Sequence, residues 1–186
     1  RRHGVRDNAG YKLDAGVPLL TDRLKGAGFA TAAFVSSAVL DREGGLARGF
    51  STYDDSVRVG DRRAFDYQER AASQTVEAAL PRIAALPAPF FLWIHFYDPH
   101  LPYVPPEPYA TRFKTKAYDG EIAFTDDALG AVLEALDQSG LRDDTLVVVF
   151  GDHGEGLYDH GHMAHGLHVY DEAVRVPLLF RHQGRI

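Results

Sequence analysis

No cysteine occurs in this 186-residue chain, and methionine and tryptophan appear once each. The missing thiols exclude disulfide bridges and thiolate metal sites, and they leave the compartment open because many exported proteins also lack cysteine. Long apolar runs are missing too. No stretch approaches the roughly 20 residues needed to cross a bilayer, so no membrane segment is expected in these residues. Nor is there an excess of positive charge: 20 basic against 26 acidic residues give a net charge of −6. The two signs are interspersed, so the basic patch that nucleic acid requires is absent and nucleic acid is not an expected partner. The opening residues Arg1-Arg2-His3-Gly4 are neither an initiator methionine nor a signal sequence, and the chain is expected to begin within a longer protein.

What is present is an ordinary globular composition, 45% hydrophobic and 25% charged, with length for one core, so residues 1–186 read as one domain or part of one. Helical and strand-like segments alternate without an internal repeat, the signature of an α/β fold. Pro18 suits a first helical turn, and the leucines that follow lead to Gly26 and Gly28 as a helix stop. Thr31 to Val35 reads as a strand. The stretch from Asp66 to Leu86 puts Tyr67, Ala71, Val76, Ala79, Leu80 and Ile83 on one helical stripe, which Pro81 should kink or divide. Phe90 to Phe96 is a second strand, followed by a proline-rich loop, Pro99 to Pro108, too long and too aromatic for a mere connector. A helix around Glu121 to Leu136 should face Ile122, Leu129, Val132, Leu133 and Leu136 inward and end at Gly140. The run Leu146 to Phe150 reads as a strand buried on both faces of a parallel sheet, and Val176 to Phe180 as a fourth strand.

The densest chemistry follows that third strand, in Gly151-Asp152-His153-Gly154-Glu155-Gly156-Leu157-Tyr158-Asp159-His160-Gly161. Strand ends are where open α/β sheets bind ligands, and glycines at 151 and 154 let the backbone turn and approach what is held there. A carboxylate and an imidazole side by side suit a divalent cation; the alternative is a polar turn with a capping Asp. Of nine histidines six lie between 153 and 182. The second strand adds His95, Asp98 and His100. If the strands are parallel, these groups and His160, His162, His165 and His168 reach one sheet edge, with a histidine-only zinc site as a rival arrangement.

Separated motifs in one order carry a resemblance. Pro89 to Pro106, Tyr118-Asp119-Gly120-Glu121-Ile122-Ala123 and Gly151 through Pro177 resemble the sulfatase family of the alkaline phosphatase-like superfamily. So do His3-Gly4-Val5-Arg6-Asp7-Asn8, Gly45-Leu46-Ala47-Arg48-Gly49-Phe50 and Tyr53-Asp54-Asp55. The resemblance implies a three-layer α/β/α sandwich with a mainly parallel sheet, incomplete at both ends, and residues 1–186 as part of a single catalytic domain. It implies metal ligation by Asp152 and His153, where typical sulfatases often carry Asn at the second position and phosphonate and phosphodiester hydrolases carry His. It implies that His100 contacts the sulfate and protonates the leaving oxygen, and that His165 serves the same anion, with His168 as a second candidate. Calcium is the family's usual metal, and an imidazole ligand adds manganese and zinc as candidates.

The nucleophile implied by the family is a formylglycine made from cysteine, or a serine, or in phosphodiesterase relatives a threonine, just upstream of the segment that starts at His3. Ser36, Ser37 and Thr31 lie in the wrong place to replace it. The family's early Asp-Asp pair is not found either: Asp54-Asp55 belongs to a loop motif, Asp126-Asp127 to an amphipathic helix and Asp143-Asp144 to a turn. The expected function is therefore metal-dependent hydrolysis of small-molecule or carbohydrate sulfate esters by the full-length parent, with this piece alone inactive. The alternatives are a phosphodiester or phosphonate monoester hydrolase, and a noncatalytic binding protein that keeps the fold.

Overall fold

A computed structural model describes residues 3–6, 11–57 and 69–183. Asp7 and Asn8 of the first motif, and Asp66 and Tyr67 of the expected second helix, lie outside the described residues. The chain divides into two compact units, Arg1–Ala135 and Leu136–Ile186.

The first unit is organised around a parallel sheet. Strand β1 (Ala30–Phe34) pairs in parallel with β2 (Thr52–Asp54) on one side and with β3 (Phe90–Ile94) on the other, in the order β2-β1-β3. The register sets Phe34 opposite both Asp54 and Ile94, so the three carboxyl ends fall at one edge. Alternation along β1 decides what each face packs against. Ala32 and Phe34 cluster with Leu92 and Ile94 of β3 and with Ala78, Ala79 and Leu86 of or just after helix α2 (Ala72–Ile83). Residues of the other parity meet the loop before β2: Thr31 Oγ1 donates to the Gly49 carbonyl at 2.8 Å, and the Phe50 ring stacks on Phe91 and Trp93 at 6.0 and 6.1 Å. β1 is buried almost throughout because both its neighbours and both its faces are covered.

The helices follow the expected pattern with corrections. Helix α1 (Leu20–Gly26) starts two residues after Pro18; the Asp22 carboxylate accepts the Leu19 N–H at 3.0 Å, and Gly28, at φ +86, ends the turn. Helix α2 buries Ala72, Thr75, Val76, Ala79 and Ile83, and continues through Pro81 in its last turn without dividing. Pro81 forfeits only one backbone bond there, with little helix left beyond it to redirect. A short α3 (Tyr109–Arg112) precedes the long α4 (Ala117–Gln138). The buried line of α4 is Glu121, Phe124, Ala128, Val132 and Leu136, and Ile122 is exposed. The core stripe therefore begins on a carboxylate one position earlier, because 121, 124, 128 and 132 follow the helical repeat and 122 stands about 100° away.

The second unit holds β4 (Val147–Phe150), α5 (Asp171–Val174) and β5 (Leu178–Arg181). β4 pairs with β5 antiparallel, Val147 opposite Arg181 and Phe150 opposite Leu178. This corrects the expectation of a strand inside a parallel sheet buried on both faces. Val148 and Phe150 are exposed, since a two-stranded ribbon covers neither of its own faces. Arg181 and Arg142 both ion-pair with Asp137, at 2.9 and 2.8 Å. No helix among the described residues is long and apolar enough to cross a membrane.

Candidate functional site

At the carboxyl edge of the parallel sheet, the residues after each strand are locked together. Ser36 Oγ lies 2.6 Å from Thr75 Oγ1 and 2.6 Å from the His95 carbonyl, joining the ends of β1 and β3 to α2. Arg70, only 6% exposed, donates through Nε to Thr75 Oγ1, through Nη1 to Asp54 and through Nη2 to the Val35 carbonyl, at 3.0 to 3.1 Å. Burial pushes the Asp54 carboxyl upward, but the Ser56 bonds and Arg70 outweigh it and leave it below its ordinary value. Asp55 is held low mainly by its hydrogen bond to the Arg42 guanidinium. Both members of this acidic pair are thus engaged by arginines. Ser36 and Thr31 are likewise engaged within the sheet framework.

The proline-rich loop after β3 is fastened from two helices. Asp98 Oδ2 accepts the Ala72 N–H at 2.8 Å and so caps α2, while Thr125 of α4 donates to the Asp98 carbonyl at 3.3 Å. Glu121 accepts the His100 N–H on one carboxylate oxygen at 3.1 Å and the Val104 N–H on the other at 2.6 Å. The His100 ring is also held. Its Nδ1 lies 2.7 Å from the Leu101 carbonyl, its Nε2 lies 3.1 Å from the Tyr97 hydroxyl, and the Tyr97 ring stacks on it at 4.2 Å. Burial raises Glu69, Asp98 and Glu121, and the charges of Asp98 and Glu69 add to it at Glu121. Glu69 and Glu121 both reach about 7, although two backbone N–H groups favour the ionised form of Glu121. Arg70 and Thr75 were not singled out in the sequence, and Glu121 appeared there only within the Tyr118-Asp119-Gly120-Glu121-Ile122-Ala123 motif and at a helix start. A charged residue on the apolar line of α4 was the signal for the burial of Glu121. The loop tyrosines pack within the protein: Tyr97 on His100, Tyr103 edge-on to Tyr118 at 5.3 Å, and Tyr109 on Phe124 with its hydroxyl bonded to Asp127.

In the second unit the segment after β4 folds back over itself. Gly154 N–H donates to the Ala173 carbonyl at 2.8 Å, and a side chain at 154 would run into the Glu172 carbonyl, so the glycine is required by close approach. Gly151 has ordinary space around a side chain and no positive φ, which corrects the expectation that both glycines serve a sharp turn. Asp152 Oδ1 accepts the His153 N–H at 2.9 Å and stands 3.7 Å from His153 Nε2. His153 Nδ1 donates to the Gly154 carbonyl at 2.8 Å, which puts the lone pair of the neutral ring on Nε2, the nitrogen nearer Asp152. That is the outer-shell bond that orients metal-binding imidazoles. Two donors of the kind a divalent cation accepts therefore stand together. Among the described residues, no three His, Cys, Asp or Glu side chains are placed to hold an ion.

His165 joins this pair: its ring stacks on His153 at 3.8 Å, and its Nδ1 lies 3.2 Å from Glu155, a carboxylate only 9% exposed. His168 belongs to a different group, with His162 at 4.0 Å and Tyr170 at 5.4 Å. His160 is engaged by Glu172 at 2.7 Å and stacks on Tyr170 at 4.2 Å. Of the two candidates for the anion-facing role, the geometry brings His165 and not His168 to Asp152 and His153. His100 belongs to the first unit and is placed there by its own loop.

The family model described as Sulfatase matches residues 2–186. Among curated relatives, the multifunctional alkaline phosphatase superfamily protein PehA of Trinickia caryophylli is 26% identical over 151 residues, covering 52% of this chain and 29% of that protein. A solved structure described under metabolism of multiple glycosaminoglycans by Bacteroides thetaiotaomicron superposes with a TM-score of 0.80 at 19% identity, over 100% of this chain and 52% of that one. The phosphonate monoester hydrolase of Agrobacterium radiobacter superposes with a TM-score of 0.76 at 20% identity, over 98% of this chain and 56% of that one. At those identities the likeness establishes the alkaline phosphatase-like α/β fold. The chain spans about half the length of these solved neighbours and less than a third of that curated relative.

Proposed function

Because the chain belongs to the sulfatase family, we propose that it serves metal-dependent hydrolysis of sulfate esters, with carbohydrate sulfates as the substrate class. The observation that carries this reading is the Asp152-His153 pair, whose imidazole is fixed by Gly154 with its lone pair on the nitrogen nearer the carboxylate. Asp152 and His153 would hold a divalent cation, calcium by family and manganese or zinc by the imidazole donor. Bound there, the cation would gather the ester oxygens and offset their charge. The formylglycine that the family makes from cysteine has no precursor among these 186 residues, which contain no cysteine, and we assign the nucleophile to the complete protein.

The chain's own residues take two roles. His100 is the proton donor: with Nδ1 bonded to the Leu101 carbonyl, the proton that leaves or arrives is on Nε2, beside the Tyr97 hydroxyl. As the bond between sulfur and the alcohol oxygen breaks, that proton goes to the departing alkoxide. His165 steadies the anion through Nε2, because Nδ1 is taken by Glu155.

His153 also suits a phosphonate or phosphodiester hydrolase, and phosphate and sulfate share tetrahedral geometry. The two readings separate in one assay of the complete protein, kcat/KM on a sulfated disaccharide against an aryl phosphonate. Preference for the sulfate ester supports the proposal, preference for the phosphonate replaces it with the second reading, and turnover of neither overturns both in favour of a binding protein.

A further inference from the structure

Glu121 has no role in the reaction just proposed, yet its surroundings single it out. It is 3% exposed, a rare state for a carboxylate with no cationic partner among the described residues, and both its oxygens are spent on the backbone of one loop. The two N–H groups belong to His100 and Val104, which bracket the turn that carries the His100 ring. The adjacent helix position is shaped for the same contact. A side chain at Gly120 would come within 2.9 Å of Pro105 Cγ and 3.1 Å of its Cβ, so glycine there lets α4 lie directly against the loop. One turn further on, Thr125 donates to the Asp98 carbonyl. Positions 120, 121 and 125 of α4 thus clasp residues 98 to 105 at three points.

We propose that Glu121 is a positioning residue for His100: its carboxylate fixes the backbone on both sides of the turn, and so sets where the imidazole Nε2 meets the leaving oxygen. A neutral apolar residue would fill the space but leave two buried N–H groups without acceptors, which is why the position holds a carboxylate despite the cost of burying it. This inference rests on the proposed acid role of His100.

The test uses the complete protein with Glu121→Gln, His100→Ala and the double variant. Gln keeps the size but offers one acceptor oxygen and turns an N–H2 toward the second backbone donor. Misplacement of a proton donor by a fraction of an ångström lowers kcat by about tenfold or more. The expected result is that loss in kcat with KM nearly unchanged, and no further loss when Glu121→Gln is added to His100→Ala. Equal factors in both backgrounds would show that Glu121 acts independently of His100 and overturn the proposal, as would a Glu121→Gln enzyme with unchanged kcat. If Glu121→Gln does not fold, Gly120→Ala, which presses on Pro105 and leaves the carboxylate in place, should give the same dependence on His100; equal losses with and without His100 would overturn the proposal. Amide hydrogen exchange at His100 and Val104 is read without substrate. Faster exchange in Glu121→Gln is expected, and unchanged exchange overturns the clasp, whereas absence of sulfate turnover in the unmutated protein overturns the functional reading instead.

Discussion

Gly154 is held between Ala173 and Glu172 so closely that its lack of a side chain is a condition of the fold around it. Gly154→Ala should lower stability by about 1–3 kcal/mol, the usual cost of forcing atoms into filled space. Thermal unfolding measures it, and an unchanged midpoint would show that the loop yields freely. Asp152→Asn keeps the shape and removes the charge. Loss of an outer-shell partner already weakens metal affinity about 10–100-fold, so loss of the proposed ligand Asp152 should cost at least as much in a calorimetric titration with calcium. Asp152, His153 and Gly154 could be singled out in the sequence because short-range chemistry marks them: an apolar strand, then a carboxylate and an imidazole, then glycine. His165 was legible only together with His168; stacking on His153, a tertiary contact, separates them. The burial of Glu121 was hidden by an apolar stripe drawn through Ile122, although the residue stood in the Tyr118–Ala123 motif.

Among the elements, Arg70 does most to tie the first unit together. It bonds the end of β1 through Val35, the end of β2 through Asp54 and α2 through Thr75. Arg70→Met should destabilise by about 3 kcal/mol or more, the scale for breaking a buried ion pair and leaving the other charge behind. Urea denaturation tests this, and a midpoint within error of the parent would contradict it. The strands seen in the sequence, β1, β3, β4 and β5, are those whose residues form a mostly apolar run. β2 escaped because Thr52, Tyr53 and Asp54 are too few and too mixed to show a period. β5 lies two residues later at its start than its apolar run suggests, after Pro177, which cannot donate to a ladder. The apolar run of β4 did not reveal its pairing, since four such residues read alike in a parallel core and in an antiparallel ribbon.

For the whole molecule, the carboxyl groups divide into two sets with opposite consequences for stability. Asp54 and Asp55 lie below their ordinary value, so what they contribute is present above about pH 4 and is lost as pH falls below it. Glu69 and Glu121 rise from 4.5 to about 7 and Asp98 rises with them. The folded chain then binds more protons than the unfolded one between those values, and stability falls as pH climbs through that window. The urea midpoint should be higher at pH 5 than at pH 8, and Glu121→Gln should flatten the difference. A midpoint that rises from pH 5 to pH 8 would contradict the assignment. At the same scale, the proposed activity of the complete protein is hydrolysis of sulfate esters with a cation held by Asp152 and His153. The direct measurement is inorganic sulfate released from a sulfated disaccharide by the complete protein, with and without Asp152→Asn, after chelation and across a calcium titration. Release is expected to stop on chelation, to return with calcium and to demand far more calcium in the variant. Release indifferent to both chelation and the substitution would contradict it.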